Sequence, residues 1–251
     1  MSAMAIGWIV FALVFGSALL AMFVHSMLAE EHLSSDSKDV VKLGIALIAT
    51  MSALVLSLLI ASAKTAFDTR SNQLVEVSAD MIMLDQALAR YGPETKEARS
   101  LLQRSVAATI DRFWPAEGVK HIAIDPAASP VEALYDKIEE LSPQSDLQRS
   151  MQSQALTLAA DVARVRLLLF EHLGTSIPVP FLAVLVFWLC IIFASFGLFA
   201  PRNATVIAVL CVCALSVSGA IFLILELDRS FEGLLQVSDA PLRAALAQLG
   251  R

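Results

Sequence analysis

A chain of 251 residues with 57% hydrophobic and only 17% charged side chains is too apolar for an ordinary soluble domain, in which about a quarter of residues are charged. Its formal net charge of -6 offers no basic surface for nucleic acid, so the expected partner is a lipid bilayer. The three cysteines, Cys190, Cys211 and Cys213, lie inside apolar runs and show neither metal spacing nor a disulfide framework.

Four apolar runs, at about 5–28, 43–62, 179–200 and 204–225, each hold about 20 to 24 residues, the length that crosses a hydrocarbon core of roughly 30 Å. The first has no Lys or Arg before it and exceeds the core of a signal peptide, so it is expected to remain as a span. An acidic, Ser-rich connection, EEHLSSDSKDVVK, follows it. Span two is not expected to stop at the membrane. Phe67, Arg70, Leu74, Val77, Met81, Leu84 and Leu88 continue at three- and four-residue spacing, with no Gly or Pro before Tyr91-Gly92-Pro93. A helix from Leu43 to Tyr91 would be about 70 Å long and would end on Gly then Pro, the usual order of helix-stopping residues.

The rest of the middle segment reads as helical too. Residues 94–113 place Leu102, Val106, Ile110 and Phe113 on one face. GVKHIAIDPAASP has strand character but is too short for a sheet. Ser129-Pro130-Val131-Glu132 is a capping box that starts a helix with Leu134, Ile138 and Leu141 inward. Ser142-Pro143 is expected to start the longest of these bundle helices, with Leu158, Val162, Val165, Leu169 and His172 in register, and Gly174, Pro178 and Pro180 separate it from span three. The expected fold is an all-α integral membrane protein. Its parts are a first hairpin at 1–63, a cytosolic helical bundle at 64–178 inserted between spans two and three, a second hairpin at 179–226 closed by the short APRN turn, and a cytosolic amphipathic tail at 227–251.

Charge sets the orientation. Twelve of the 18 Lys and Arg lie between spans two and three, and Lys64, Arg70, Arg164, Arg166 and Arg229 sit near span ends. The other two connections hold only Lys38, Lys42 and Arg202, so both termini are expected in the cytoplasm.

Two groups of residues are candidate sites. On span two, Ala46, Thr50, Ala53, Ser57, Ala61 and Lys64 form a small and polar stripe. It suits a pore, where hydroxyls leave room for water and a terminal Lys attracts anions, and it equally suits close helix packing. Where span four ends, Glu226, Asp228 and Arg229 follow one another. Glu226 is expected level with Lys64 and Asp228 near the level of Arg70, forming an interfacial clasp between spans two and four; the alternative is that these charges only mark the membrane boundary. Arg229 can reach lipid phosphates, and Gly233 permits a turn that lays Leu234, Leu235 and Val237 on the membrane surface. No Asp, Glu, Lys or Arg lies in mid-span, which argues against an ion-coupled transporter. His25, His32, His121 and His172 are scattered, Cys211, Ala214 and Ser218 read as packing residues, and the acid pairs Glu30-Glu31 and Glu139-Glu140 as solvated faces. No phosphate loop or nucleophile motif occurs, so neither metal, cofactor nor enzyme activity is expected.

LLIASAKTAFDTRSNQLVEV after span two, ARYGPETKEAR at the first bundle turn and ELDRSFEGLLQVS after span four resemble the bestrophin-like domain proteins of bacteria, a family without an assigned activity. In that family the last motif looks like Leu-Asp-x-Pro-Phe-x-Gly; here Ser230 stands in the Pro position. The resemblance implies a multi-pass protein of the bacterial inner membrane and, by similarity to bestrophins, a homo-oligomeric and pentameric anion channel whose second span lines the pore. Bestrophins use aromatic residues at the pore neck, whereas no aromatic occurs here from Leu43 until Phe67, so that gate does not transfer. Two functions stand open: an oligomeric channel for inorganic ions, or a non-conducting membrane scaffold or sensor whose bundle binds a protein partner.

Overall fold

The computed structural model describes residues 2–25, 35–115, 130–171, 179–201, 203–231 and 233–250. His32, His121, His172, Arg202, the Glu30-Glu31 pair, Ser129 and nearly all of the strand-like stretch lie outside the described residues. Every element described is helical: α1 (Ala3–His25), α2 (Ser35–Tyr91), a 3-10 turn (Pro93–Thr95), α3 (Lys96–Phe113), α4 (Pro130–Glu139), α5 (Asp146–Glu171), α6 (Val179–Phe199), α7 (Ala204–Asp228) and α8 (Ala240–Gln248). Four of them, α1, α2, α6 and α7, are long and apolar enough to cross a membrane. α2 runs unbroken for 57 residues, about 85 Å at 1.5 Å per residue, because nothing within it removes a backbone donor or breaks the apolar periodicity.

The chain divides into two compact units, one of residues 1–67 and 175–235, the other of 68–174 and 236–251. In the first unit α1 is the helix against which α6 and α7 pack. Ala3, Val10, Val14, Ala18 and Met22 form its buried row and meet a core that includes Leu185, Leu189, Ile192 and Phe193 of α6 and Leu210, Ala214, Ile221 and Ile224 of α7. Lipid tails are as apolar as these side chains, so the contact must come from close fit rather than from escape from water. Two glycines permit it. A Cβ on Gly197 would fall on the Ala18 carbonyl, 2.8 Å from its carbon, and a Cβ on Gly7 would lie 3.3 Å from Phe222 Cβ. Ser17 Oγ adds a polar tie, lying 2.7 Å from Val14 O and 3.1 Å from Cys190 O across the α1–α6 contact. The turn into α7 is capped by Asn203, whose side chain accepts from Val206 N at 2.9 Å. Ala214 and Ser218 are buried here, in keeping with a packing role.

In the second unit the α2 row is turned inward: Leu74, Val77, Met81, Leu84, Leu88 and Tyr91 are all buried. Gly92 then takes φ +141, where a side chain would be strained, and Thr95 Oγ1 lies 2.7 Å from Leu88 O and 2.8 Å from Gly92 O, answering carbonyls left open at the helix end. Gln148 Nε2 reaches Tyr91 O at 3.1 Å. Ala98, Leu102, Val106, Ile110 and Phe113 form the buried face of α3. α4 begins at Pro130 with Leu134 and Ile138 fully buried, and Gln152 Nε2 of α5 closes its far end at 2.9 Å from both Ile138 O and Leu141 O.

Two expectations are revised. α5 starts at Asp146 and not at Ser142-Pro143, because Ser145 accepts from Gln148 N at 3.2 Å while Gln148 Oε1 accepts from Gln144 N at 2.8 Å, a reciprocal cap one turn further on. The segment after α7 is also not one surface-lying tail. Leu234 and Leu235 are exposed, but Val237 is buried, and α8 packs on α3 with Leu242, Ala245 and Leu249 buried. Three hydrogen bonds stitch that segment to the second unit: Trp114 Nε1 to Val237 O (2.9 Å), Gln103 Nε2 to Leu249 O (2.9 Å) and Gly250 N to Asp85 Oδ2 (3.0 Å).

Candidate functional site

Over its membrane-length stretch α2 has three distinct faces. Ser52, Leu59 and Ala63 are buried, with Ile45, Ile48, Val55 and Leu56 half-buried beside them, so this face packs on its own unit. Ala46, Thr50, Ala53, Ser57, Ala61 and Lys64 are all exposed. At 100° per residue they cluster roughly 130° around the helix from the packed face. Leu43, Leu47, Leu54 and Leu58 make a third face, each more than 60% exposed. Among the described residues the small-polar stripe therefore lies outside the buried core. Thr50 Oγ1 bonds Leu47 O at 2.7 Å, a local back-bond that leaves its oxygen able to accept from water. At the end of the stripe Lys64 Nζ lies 5.8 Å from the centre of the Phe67 ring.

The residues where α7 ends are more deeply placed than their charge suggests. Glu226 is 6% exposed and Asp228 3%, while Arg229 is half-buried. Arg70 is likewise buried, at 4%, in the second unit. Glu226 has a backbone partner, its Oε2 accepting from Leu234 N at 2.7 Å. A buried carboxylate needs such a donor, and this one folds the chain back after the helix. Ser230 shows what serine does in the Pro position: its Oγ donates to Leu227 O at 3.1 Å, satisfying one of the last carbonyls of α7. Gly233 has φ +95, and any Cβ there would also strike the Glu226 carboxylate. The positive φ asks for glycine by itself, and a Cβ would in addition push the Glu226 carboxylate off the Leu234 amide.

The charges of the second unit follow no apolar periodicity. Asp85, 5% exposed, accepts from Arg99 Nε (2.7 Å), Arg99 Nη2 (2.8 Å) and Gly250 N. Asp80 is pushed above the ordinary carboxylate range by burial first, then by Asp161 and Glu76, with Arg164 offsetting part of this. Ionised Asp80 therefore works against the fold, and the stability gained when it binds a proton is lost as pH rises through its elevated pKa. Among the described residues no group of His, Cys, Asp and Glu is arranged to hold a metal ion.

A family model described as the bestrophin-like domain matches residues 11–242, which takes in both units. No curated protein and no solved structure matches the chain. With that domain covering nearly its whole length and four helices fit to cross a bilayer, the chain belongs to the bestrophin-like family and is a multi-pass membrane protein.

Proposed function

We propose that the chain is the subunit of a homo-oligomeric ion channel in which α2 lines the pore and anions are the preferred cargo. The observation that carries this reading is the exposure of the whole stripe Ala46, Thr50, Ala53, Ser57, Ala61 and Lys64, on a helix whose packing within the chain uses a different face. Small side chains and hydroxyls around an axis leave a water-filled passage, and a ring of Lys64 ammonium groups at one end concentrates anions. The third, leucine-rich face then meets lipid or the neighbouring subunit. Membership of the bestrophin-like family supports the same layout.

Flux through liposomes tests it. Ser57→Trp places an indole on the stripe and is expected to reduce chloride flux at least tenfold. Leu58→Trp, about 100° away and 63% exposed, is expected to retain most of it. A wild-type protein that conducts neither chloride, potassium nor sodium would sink the channel reading.

The scaffold reading would then take its place. It is supported by an open groove on the second unit lined by Tyr135, Arg149, Gln152, Leu156, Thr157 and Asp161, a surface on which a protein partner could dock. In either case the Lys and Arg bias supports an orientation with both termini and the middle segment in the cytoplasm, and the family supports a bacterial inner-membrane location. Single cysteines at Ser35 and Asn203, in a cysteine-free background, are expected to react with impermeant thiol reagents added to intact cells, and one at Ser145 is not. Labelling of Ser145 from outside would reverse the orientation.

A further inference from the structure

Beyond Leu225, where the apolar run of α7 ends, the described residues on either side of position 232 are tied back to the end of the helix. Arg229 N donates to Glu226 O at 3.1 Å, Ser230 Oγ to Leu227 O at 3.1 Å, and Leu234 N to Glu226 Oε2 at 2.7 Å, with Gly233 at φ +95. The last of these bonds decides the depth of Leu234. Its backbone is tied to a side chain that starts one residue past the apolar run, so it stays near the level where α7 leaves the bilayer. At that level Leu234 is 73% and Leu235 40% exposed, and the stretch Gly-Leu-Leu-Gln-Val at 233–237 carries no charge. α7 itself turns Val209, Val212, Leu215 and Leu223 outward, each more than 50% exposed, so the helix presents an apolar surface up to the same end. Arg229 is half-buried in the same turn and supplies a cation at phosphate depth.

We propose that Leu234 and Leu235 form an interfacial wedge that docks into the headgroup–acyl boundary of the bilayer, with Glu226 as the residue that positions it. Two adjacent leucines held on a pinned turn cannot fold away from water by local rearrangement, whereas a lipid surface at that depth covers them. The inference rests on α7 crossing the membrane, and the test separates the two statements.

Cys190, Cys211 and Cys213 are replaced by Ala, and single cysteines at Leu234, Leu235, Ser238 and Val212 carry a nitroxide in the full chain reconstituted into vesicles of phosphatidylcholine and phosphatidylglycerol. Collision with oxygen, which partitions into lipid, is compared with collision with a water-soluble nickel chelate. At Leu234 and Leu235 the oxygen-to-nickel ratio is expected to exceed that at Ser238 several-fold and to lie below that at Val212, in mid-span. Glu226→Ala is expected to bring the Leu234 ratio down towards that of Ser238 while leaving Val212 unchanged. Glu226→Gln, which keeps an acceptor for the Leu234 amide, is expected to restore it. Labels at Leu234 and Leu235 that meet the nickel chelate as freely as Ser238 would overturn the wedge. So would labels that neither reagent reaches, since protein would then cover the turn. Loss of oxygen preference at Val212 would instead overturn the crossing of α7, and the wedge with it.

Discussion

Gly197→Leu is expected to leave little folded protein after solubilisation, because it sets a branched side chain where the Ala18 backbone already stands. A Cβ at this position would lie 2.8 Å from the Ala18 carbonyl carbon and closer still to its oxygen. Over-packing usually costs about 1 to 3 kcal/mol when neighbouring side chains can swing away. Here the neighbour is helix backbone, so relief requires α1 and α6 to separate, which also strands the bond from Ser17 Oγ to Cys190 O and the fit of Val14 and Ala18 against Leu189 and Phe193. The expected cost is therefore in the exceptional range, about 4 kcal/mol or more. Gly16→Leu is the matched control, since a Cβ there meets nothing within 4 Å. Thermal unfolding in detergent decides the matter. Equal melting temperatures for the two variants would mean that α1 and α6 do not meet at Gly197.

Asp85 carries the second large effect. Its carboxylate, 6% exposed, binds Arg99 through two parallel bonds and takes a third from Gly250 N. Asp85→Leu takes the bidentate carboxylate away from Arg99, whose side chain is only 21% exposed, and the acceptor away from the Gly250 amide. Breaking one side of such a buried pair costs about 3 to 5 kcal/mol. Arg99→Met is expected to cost nearly as much, because it abandons the more deeply buried partner. The pair Asp85→Leu with Arg99→Met should recover a good part of the loss, since replacing both charges removes the desolvation cost along with the attraction. A double-mutant cycle in thermal stability measures the coupling. Additive single losses would show that the two side chains are not energetically linked.

Much of the helical framework could be read from the residues themselves. Span lengths followed from uninterrupted apolar runs, and the continuation of α2 to Tyr91 followed from a three-four spacing that no Gly or Pro interrupts. The start of α5 was missed because Ser142-Pro143 looks like an N-terminus, while the side chains that complete the cap are those of Ser145 and Gln148. The partner of Glu226 was out of reach for a different reason. The amide it binds lies eight residues on, around a turn with no periodicity, so no spacing rule connects them. Asp85 was harder still, as its partners stand 14 and 165 residues away. The apolar spacing of Leu242, Ala245 and Leu249 announces an amphipathic helix, but not whether lipid or protein covers it. For the stripe on α2, the sequence could not choose between pore and packing. Among the described residues its exposure sets it outside the buried core, so that water, lipid or a second copy is left to cover it.

The tail that closes the second unit has a consequence for how the protein is made. Residues 68–174 leave the ribosome well before 236–250, and α6 and α7 are synthesised in between. Until residues 236–250 emerge, Asp85 lacks the Gly250 amide, Gln103 and Trp114 lack the carbonyls of Leu249 and Val237, and the surface that receives Leu242, Ala245 and Leu249 is bare. The unit therefore completes these bonds only after α7 has been translated. A nascent chain arrested at α7, or one truncated by a late stop codon, would display that open apolar surface to chaperones and proteases and so be marked as unfinished.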